Sequence, residues 1–247
     1  MSIKTLEELE GMKAAGLIVR RMLSAMKNVA RSGITTGELD HIGAEIMREH
    51  GARSAPALVY GFPGVSCISV NDEIVHGIPG KRKLRDGDLL KLDVTIEKDG
   101  FMADAAETVV IGNASQIGQR LATCAERAFH AALSAARAGN RVNEIGRAVE
   151  AEVQRSGFVV IHQLCGHGIG RTIHERPSVP NFADPEAKQV LTNGLVITIE
   201  PIIASQSSRA FLARDGWTMR TADRGLAAHY EHTLMITDGE PLLLTAA

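Results

Sequence analysis

The chain has 247 residues, enough for one large domain or two small ones with an ample core. Apolar residues make up 45% and charged residues 23%, which excludes a disordered, fibrous or membrane-filling chain. A net charge of −2 gives no pull toward nucleic acid or an anionic membrane, and the three scattered cysteines build neither a disulfide framework nor a thiolate zinc knuckle.

The first residues, MSIKTLEELEGMK, are charged and lack the apolar core of a secretion signal, so a reducing cytoplasm is expected. Leu6, Leu9, Met12, Val19, Met22, Leu23 and Met26 recur at helical spacing and predict an amphipathic helix over 5–30. Its methionines read as core filling. Gly33 breaks it, and Thr35 with Glu38 forms a capping box that opens a second helix running to Gly51. Residues 52–79 look strand-like and rich in loops. A hairpin follows over 87–112. Its first strand carries Asp93, Asp99-Gly100 marks a tight turn, and the return strand carries Asp104. An even number of loop residues would put Asp93 and Asp104 on one face, opposite or diagonal. Two carboxylates crowded there repel unless a proton or cation lies between them.

Periodicity then predicts helices over about 115–138 and 142–156, a strand at 159–161 and a glycine-rich segment at 165–171. Residues 194–200 form a buried strand ending in Glu200. Residues 205–224 read as a further hairpin carrying Trp217, and 229–236 as the last strand, carrying Glu231.

The two halves, about 1–113 and 114–247 of one catalytic domain, share their spacing. Gly33 precedes Glu38 by five residues, as Gly139 precedes Glu144; Glu38 precedes Gly51 by thirteen, as Glu144 precedes Gly157. Each half has a His-Gly-Ile segment, at His76 and His167. Gly87 stands six before Asp93 and Gly194 six before Glu200, while Asp104 and Glu231 each stand eight before a glycine. A unit duplicated about a pseudo-twofold axis would bring Asp93, Asp104, Glu200 and Glu231 together. Four carboxylates in one buried place need cations, and with one imidazole they suit a pair of divalent ions such as Mn, Fe(II), Co or Zn.

His167, between Gly166 and Gly168, is the expected nitrogen ligand, its glycines letting the backbone come close. The segment Gly166 to Gly170 is not a dinucleotide fingerprint, because the third glycine is misplaced. His76 and His174 are not needed for the metal count and read as donors to a developing oxyanion and a leaving nitrogen. Cys67 and Cys165 read as small buried packing residues rather than nucleophiles. Cys67 with Phe62 and Trp217 could line an apolar pocket.

The motifs NDEIVHGIPG, GDLLKLDVTIEKDGF, CGHGIGRTIHERP, ITIEPII and DGWTMRTADRGLAAHYEHT resemble those of the type I methionine aminopeptidases, in their short bacterial form. The resemblance covers nearly the whole chain. It implies an α+β "pita-bread" fold, an antiparallel sheet covered by helices. It implies Asp93, Asp104, His167, Glu200 and Glu231 as ligands of two divalent ions, with Asp104 and Glu231 bridging and Glu200 taking a proton from water. It also implies that His76 and His174 contact substrate and that Phe62, Cys67 and Trp217 border a methionine side chain. The implied function is removal of the initiator methionine from nascent chains with a small second residue. The implied setting is a monomer, near the ribosome, without direct nucleic-acid or membrane contact. The sequence departs from the family at Met102-Ala103 and Ala105-Ala106 around Asp104, and at Ile173. Two alternatives remain: an Xaa-Pro metallopeptidase of the same fold, whose members normally carry a further N-terminal domain, and a non-catalytic relative that binds ribosome or RNA.

Overall fold

The computed structural model describes residues 1–246. Helix α1 (Leu6–Val29) starts where the Thr5 hydroxyl accepts the Glu8 N–H, and it buries Met12, Ile18, Val19, Met22, Leu23 and Met26 on one face. Helix α2 (Thr36–Glu49) opens with the expected capping box: Glu38 N–H donates to the Thr35 hydroxyl and Thr35 N–H to the Glu38 carboxylate. After β1 (Arg53–Ser54) comes a short helix, α3 (Ala55–Tyr60), inside the stretch expected to be strand and loop. Local signals explain it. Ser54 caps the Ala57 N–H, Pro56 occupies the first turn, and Gly61 closes the helix in a left-handed conformation at φ 74°.

Strands β2 (Cys67–Val70) and β3 (Glu73–Val75) lead to the long hairpin of β4 (Leu89–Lys98) and β5 (Phe101–Val110). Asp99 and Gly100 both have positive φ, 50° and 84°, as a two-residue turn matched to strand twist requires. Lys98 therefore pairs with Phe101 and Thr95 with Asp104, so Asp93 and Asp104 share a face diagonally.

The second half supplies α4 (Gln116–Leu133), α5 (Val142–Arg155), β6 (Val159–Val160), β7 (Cys165–Gly168), β8 (Glu175–Pro180), β9 (Val196–Ile199) and β10 (Ile202–Ala204). Then follow β11 (Ala210–Leu212), β12 (Met219–Thr221), β13 (Ala227–His229), β14 (Glu231–Met235) and β15 (Leu242–Leu243). The strand expected at 229–236 is thus broken at Tyr230, as its neighbour is broken between Ile199 and Ile202. Pro201 has no N–H for the ladder, and its carbonyl accepts the Tyr230 N–H instead.

The central sheet is antiparallel, in the order β1-β4-β5-β14-β9-β7-β8, with β2 also paired to β4 and β15 to β14. Helices α1 and α2 cover β4 and β5 through one apolar cluster; α4 and α5 pack with β9 and β14 in a second. Two small sheets, β13-β10-β6 and β11-β12-β3, flank the opposite side. Arg220 on β12 pairs with Asp72 (2.9 Å) and Glu73 (2.5 Å), and Arg82 also reaches Glu73 at 2.8 Å. This network ties the 205–224 hairpin to the segment that carries His76.

Candidate metal centre

Register across the central sheet stacks polar side chains in three adjacent rungs on one face. In the middle rung Cys67 on β2 lies opposite Asp93, Asp93 opposite Ala106, and Ala106 opposite Glu231. Glu200 directly follows β9, two residues beyond Thr198, and the Thr198 hydroxyl donates to its carboxylate at 2.9 Å. In the next rung Thr95 lies opposite Asp104 and Thr233 opposite Thr198. Thr233 joins β5, its hydroxyl accepting the Asp104 N–H at 2.9 Å and donating to the Asp104 carbonyl at 2.8 Å. His167 N–H donates to the Thr198 hydroxyl at 3.1 Å, which places the imidazole at the end of this rung. In the remaining rung Lys91 lies opposite Thr108, whose hydroxyl donates to the His229 carbonyl (2.8 Å) and accepts the His229 N–H (2.9 Å). Ala106 is the small step that lets the acids on either side converge.

His167 Nδ1 meets the Gly168 carbonyl at 2.9 Å. A carbonyl only accepts, so Nδ1 carries the proton and the Nε2 lone pair faces Glu200 Oε1, 3.5 Å away. The flanking glycines serve strand packing: a Cβ at Gly166 would lie 2.6 Å from the Thr198 carbonyl, and one at Gly168 2.2 Å from that of Arg176. The expected reason, backbone approach to a ligand, is replaced by backbone approach to β9 and β8.

The electrostatics are those of a site built for cations. Burial first, then the neighbouring acids, pushes Asp104, Glu200 and Glu231 well above the carboxylate range; burial raises half-buried Asp93 as well. Burial pulls His167 and His229 down to about 4, so both imidazoles are neutral at physiological pH. Asp104 Oδ1, Glu231 Oε1 and both ring nitrogens of His229 are buried without a hydrogen-bond partner among the described residues. Two triads, Asp104/His167/Glu231 and Glu200/His229/Glu231, each present ligand atoms within 4.8 Å of one another. Buried oxygen and nitrogen acceptors without donors fit divalent ions.

Above the acids is a pocket lined by Phe62, Cys67, His76, Ile173, His174 and Trp217 among others, so every ligand and substrate residue expected from the sequence borders one place. Phe62 meets Trp217 edge-on at 5.2 Å. The His174 ring lies 4.3 Å from that of His167, and its Nδ1 is 2.6 Å from the Tyr60 hydroxyl. His76 sits at φ 58°, at the mouth. Cys67 is buried and its thiol is pushed far up by burial and then by Asp93, while Cys165 is exposed rather than buried as expected.

Three side chains went unnoticed in the sequence. His229 stands two residues before Glu231, a period-2 signal that places it on the acid face. Tyr60 has no such signal, because six-residue α3 is too short to show a helical period. Lys91, 1% exposed, stands two before Asp93; its ammonium donates to the carbonyls of Asn71 (2.8 Å) and Ala227 (3.2 Å), and burial pulls it to about 7.

The model of metallopeptidase family M24 matches residues 10–238. The chain is 46% identical over 241 residues to "Methionine aminopeptidase 2" of Bacillus subtilis, covering 97% of each, and 39% identical to the Escherichia coli methionine aminopeptidase over 99% of this chain and 94% of that one. A solved methionine aminopeptidase from Thermotoga maritima superposes over all of both chains with TM-score 0.96 at 33% identity. A prolidase from Pyrococcus furiosus, at 22% identity and TM-score 0.80, shares the fold over 99% of this chain and 65% of its own.

Proposed function

The chain belongs to metallopeptidase family M24, and on that footing we propose how its own residues remove the initiator methionine from nascent polypeptides, the metal-dependent hydrolysis for which its full-length relatives are named. The fold is the pita-bread fold of those relatives and of the prolidases. The observation that carries the reading is the convergence of Asp93, Asp104, His167, Glu200 and Glu231 beneath a pocket walled by Phe62 and Trp217.

In this reading the five side chains hold two divalent ions, Co, Mn, Fe(II) or Zn. Asp104 and Glu231 would be common to both ions, Asp93 would serve one, and His167 with Glu200 would serve the other. Such ions, when bound, supply Lewis acidity and lower the pKa of water. Glu200 takes the proton of the attacking water; its carboxylate is already oriented by the Thr198 hydroxyl. His174 donates a hydrogen bond to the carbonyl oxygen of the scissile bond, and His76 contacts its amide. The substrate ammonium lies on the Asp93 side, which confines cleavage to the terminal residue. Phe62, Cys67 and Trp217 receive the methionine side chain. Ile173 beside His174 adjusts pocket shape, and Ala106, opposite both Asp93 and Glu231, adjusts the packing between the acids, rather than the ligand set. The enzyme acts as a monomer on chains emerging from the ribosome in the cytoplasm, without direct contact to nucleic acid or membrane. Among the described residues no helix is long and apolar enough to cross a membrane.

Asp104→Ala or Glu231→Ala should abolish both metal uptake, by calorimetry, and hydrolysis of a Met-Ala-Ser peptide; near-normal turnover in either refutes the bridging role. Met-Ala-Ser should be cleaved in strong preference to Xaa-Pro peptides. Chelated protein restored separately with Fe(II), Mn, Co and Zn identifies the effective metal.

A further inference from the structure

We propose that His229 is a further ligand of the centre, a second nitrogen donor that binds an ion together with Glu200 and Glu231. The proposal rests on the dinuclear reading above and extends its ligand set. His229 is 2% exposed, and its Nε2 points between two acids, 3.3 Å from Glu231 Oε2 and 3.9 Å from Glu200 Oε2. Neither ring nitrogen makes a hydrogen bond among the described residues, whereas His167, the other buried imidazole of the site, has its Nδ1 proton on a carbonyl. A buried neutral imidazole with an unused lone pair is costly unless something takes that lone pair. Here the groups within reach are all carboxylates, which have no proton to donate when they act as ligands. A divalent ion between Nε2, Glu200 and Glu231 satisfies the ring nitrogen and both acids at once.

The backbone holds the ring where a ligand must be. His229 ends β13 opposite Ile202, and the Thr108 hydroxyl grips both its N–H and its carbonyl. The ring therefore stands one rung from Glu231 on the acid face, at the Glu200 oxygen that does not face His167. Both imidazoles then face Glu200, His167 at Oε1 (3.5 Å) and His229 at Oε2 (3.9 Å), so His229 joins the ion that the reading above gives to Glu200. Two nitrogen donors in place of one shift the centre's preference from Mn toward Fe(II), Co and Zn.

The test uses the full chain loaded with Co(II). Cobalt-bound imidazoles give paramagnetically shifted, solvent-exchangeable N–H resonances, one per ring. The unsubstituted chain should show two, His229→Gln one, and His174→Gln two. Calorimetry should show the second equivalent of Co(II) weakened about 10–100-fold or more in His229→Gln, the range already seen when mere supporting groups of a metal site are lost. One shifted N–H signal in the unsubstituted chain overturns the proposal without any variant. So do an unchanged signal count and unchanged cobalt affinity in His229→Gln. An unsubstituted chain that takes up no cobalt overturns the dinuclear reading itself, an outcome distinct from binding with a single imidazole.

Discussion

At the scale of single residues, the contact between Tyr60 and His174 sets what the proposed oxyanion donor can do. A phenol that donates to Nδ1 leaves the ring proton on Nε2, the nitrogen free to donate to a carbonyl oxygen. Burial first, then His76, holds His174 below its ordinary value, so it serves as a neutral donor. Tyr60→Phe removes one hydrogen bond without emptying space. A net loss of about 1 kcal/mol corresponds to a fall of roughly fivefold in turnover. The fall should appear in kcat, with KM for Met-Ala-Ser little changed, because the phenol orients the ring rather than binding the methionine side chain. Equal kcat in the variant and the unsubstituted enzyme would sink this role. Tyr60 was hidden in the sequence because its partner is 114 residues away. The acids were visible because strand pleating is local: Asp93 and Asp104 lie across one two-residue turn, and the register follows from counting. His229 falls between these cases. It shares the parity of Glu231, but an acid-only pattern drew no attention to it.

At the scale of elements, the hairpin carrying Trp217 is joined to β3 by strand pairing and by the Arg220 guanidinium. The Asp215 side chain accepts the Trp217 and Thr218 N–H groups, each at 2.9 Å, which fixes the loop locally. Its position against β3 rests on the strand pairing of Met219 and Arg220 with Val75 and Glu73, on Arg224 beside Asp72, and on the Arg220 guanidinium, which forks between Asp72 and Glu73. Arg220→Ala leaves buried Glu73 with Arg82 and the Val70 N–H as its partners and should loosen the contact of Trp217 with Phe62. Stability should drop by about 1–3 kcal/mol, read as a lower denaturant midpoint. Because Trp217 walls the pocket and touches no reacting atom, KM for methionyl peptides should rise about fivefold while kcat holds. A fall confined to kcat would show that the hairpin acts on chemistry instead. The same scale explains which elements were legible. Helices α1, α2, α4 and α5 carry a 3.6-residue apolar period and were expected within a few residues of their bounds. Helix α3 has six residues, too few for a period, and only its caps betray it. The breaks at Pro201 and Tyr230 arise because paired strands leave the main sheet together, a tertiary event that neither strand encodes alone.

At the scale of the whole molecule, the acid cluster couples metal uptake to pH and to stability. In the chelated protein the folded-state values of Asp104, Glu200 and Glu231 lie well above their ordinary values, and that of Asp93 lies above its own. The folded chain therefore keeps protons that the unfolded chain has already released, so these groups make the chelated form less stable as pH rises through their folded values. His167 acts differently: its folded value of about 4 leaves it neutral across the range from pH 5.5 to 8, where it needs no deprotonation to bind an ion. What remains is that an ion must displace carboxyl protons at low pH and need not at high pH. The stabilisation added by a saturating divalent ion should thus grow with pH by about 1.4 kcal/mol per unit for each proton displaced. For a chain of this size that is a rise of roughly 3–5 °C per pH unit in the difference between loaded and chelated melting temperatures. Melts of both forms between pH 5.5 and 8 measure it directly. A difference independent of pH would mean that the four acids are ionised before metal arrives, and the central sheet would then be holding apart, rather than crowding, the charges on its face.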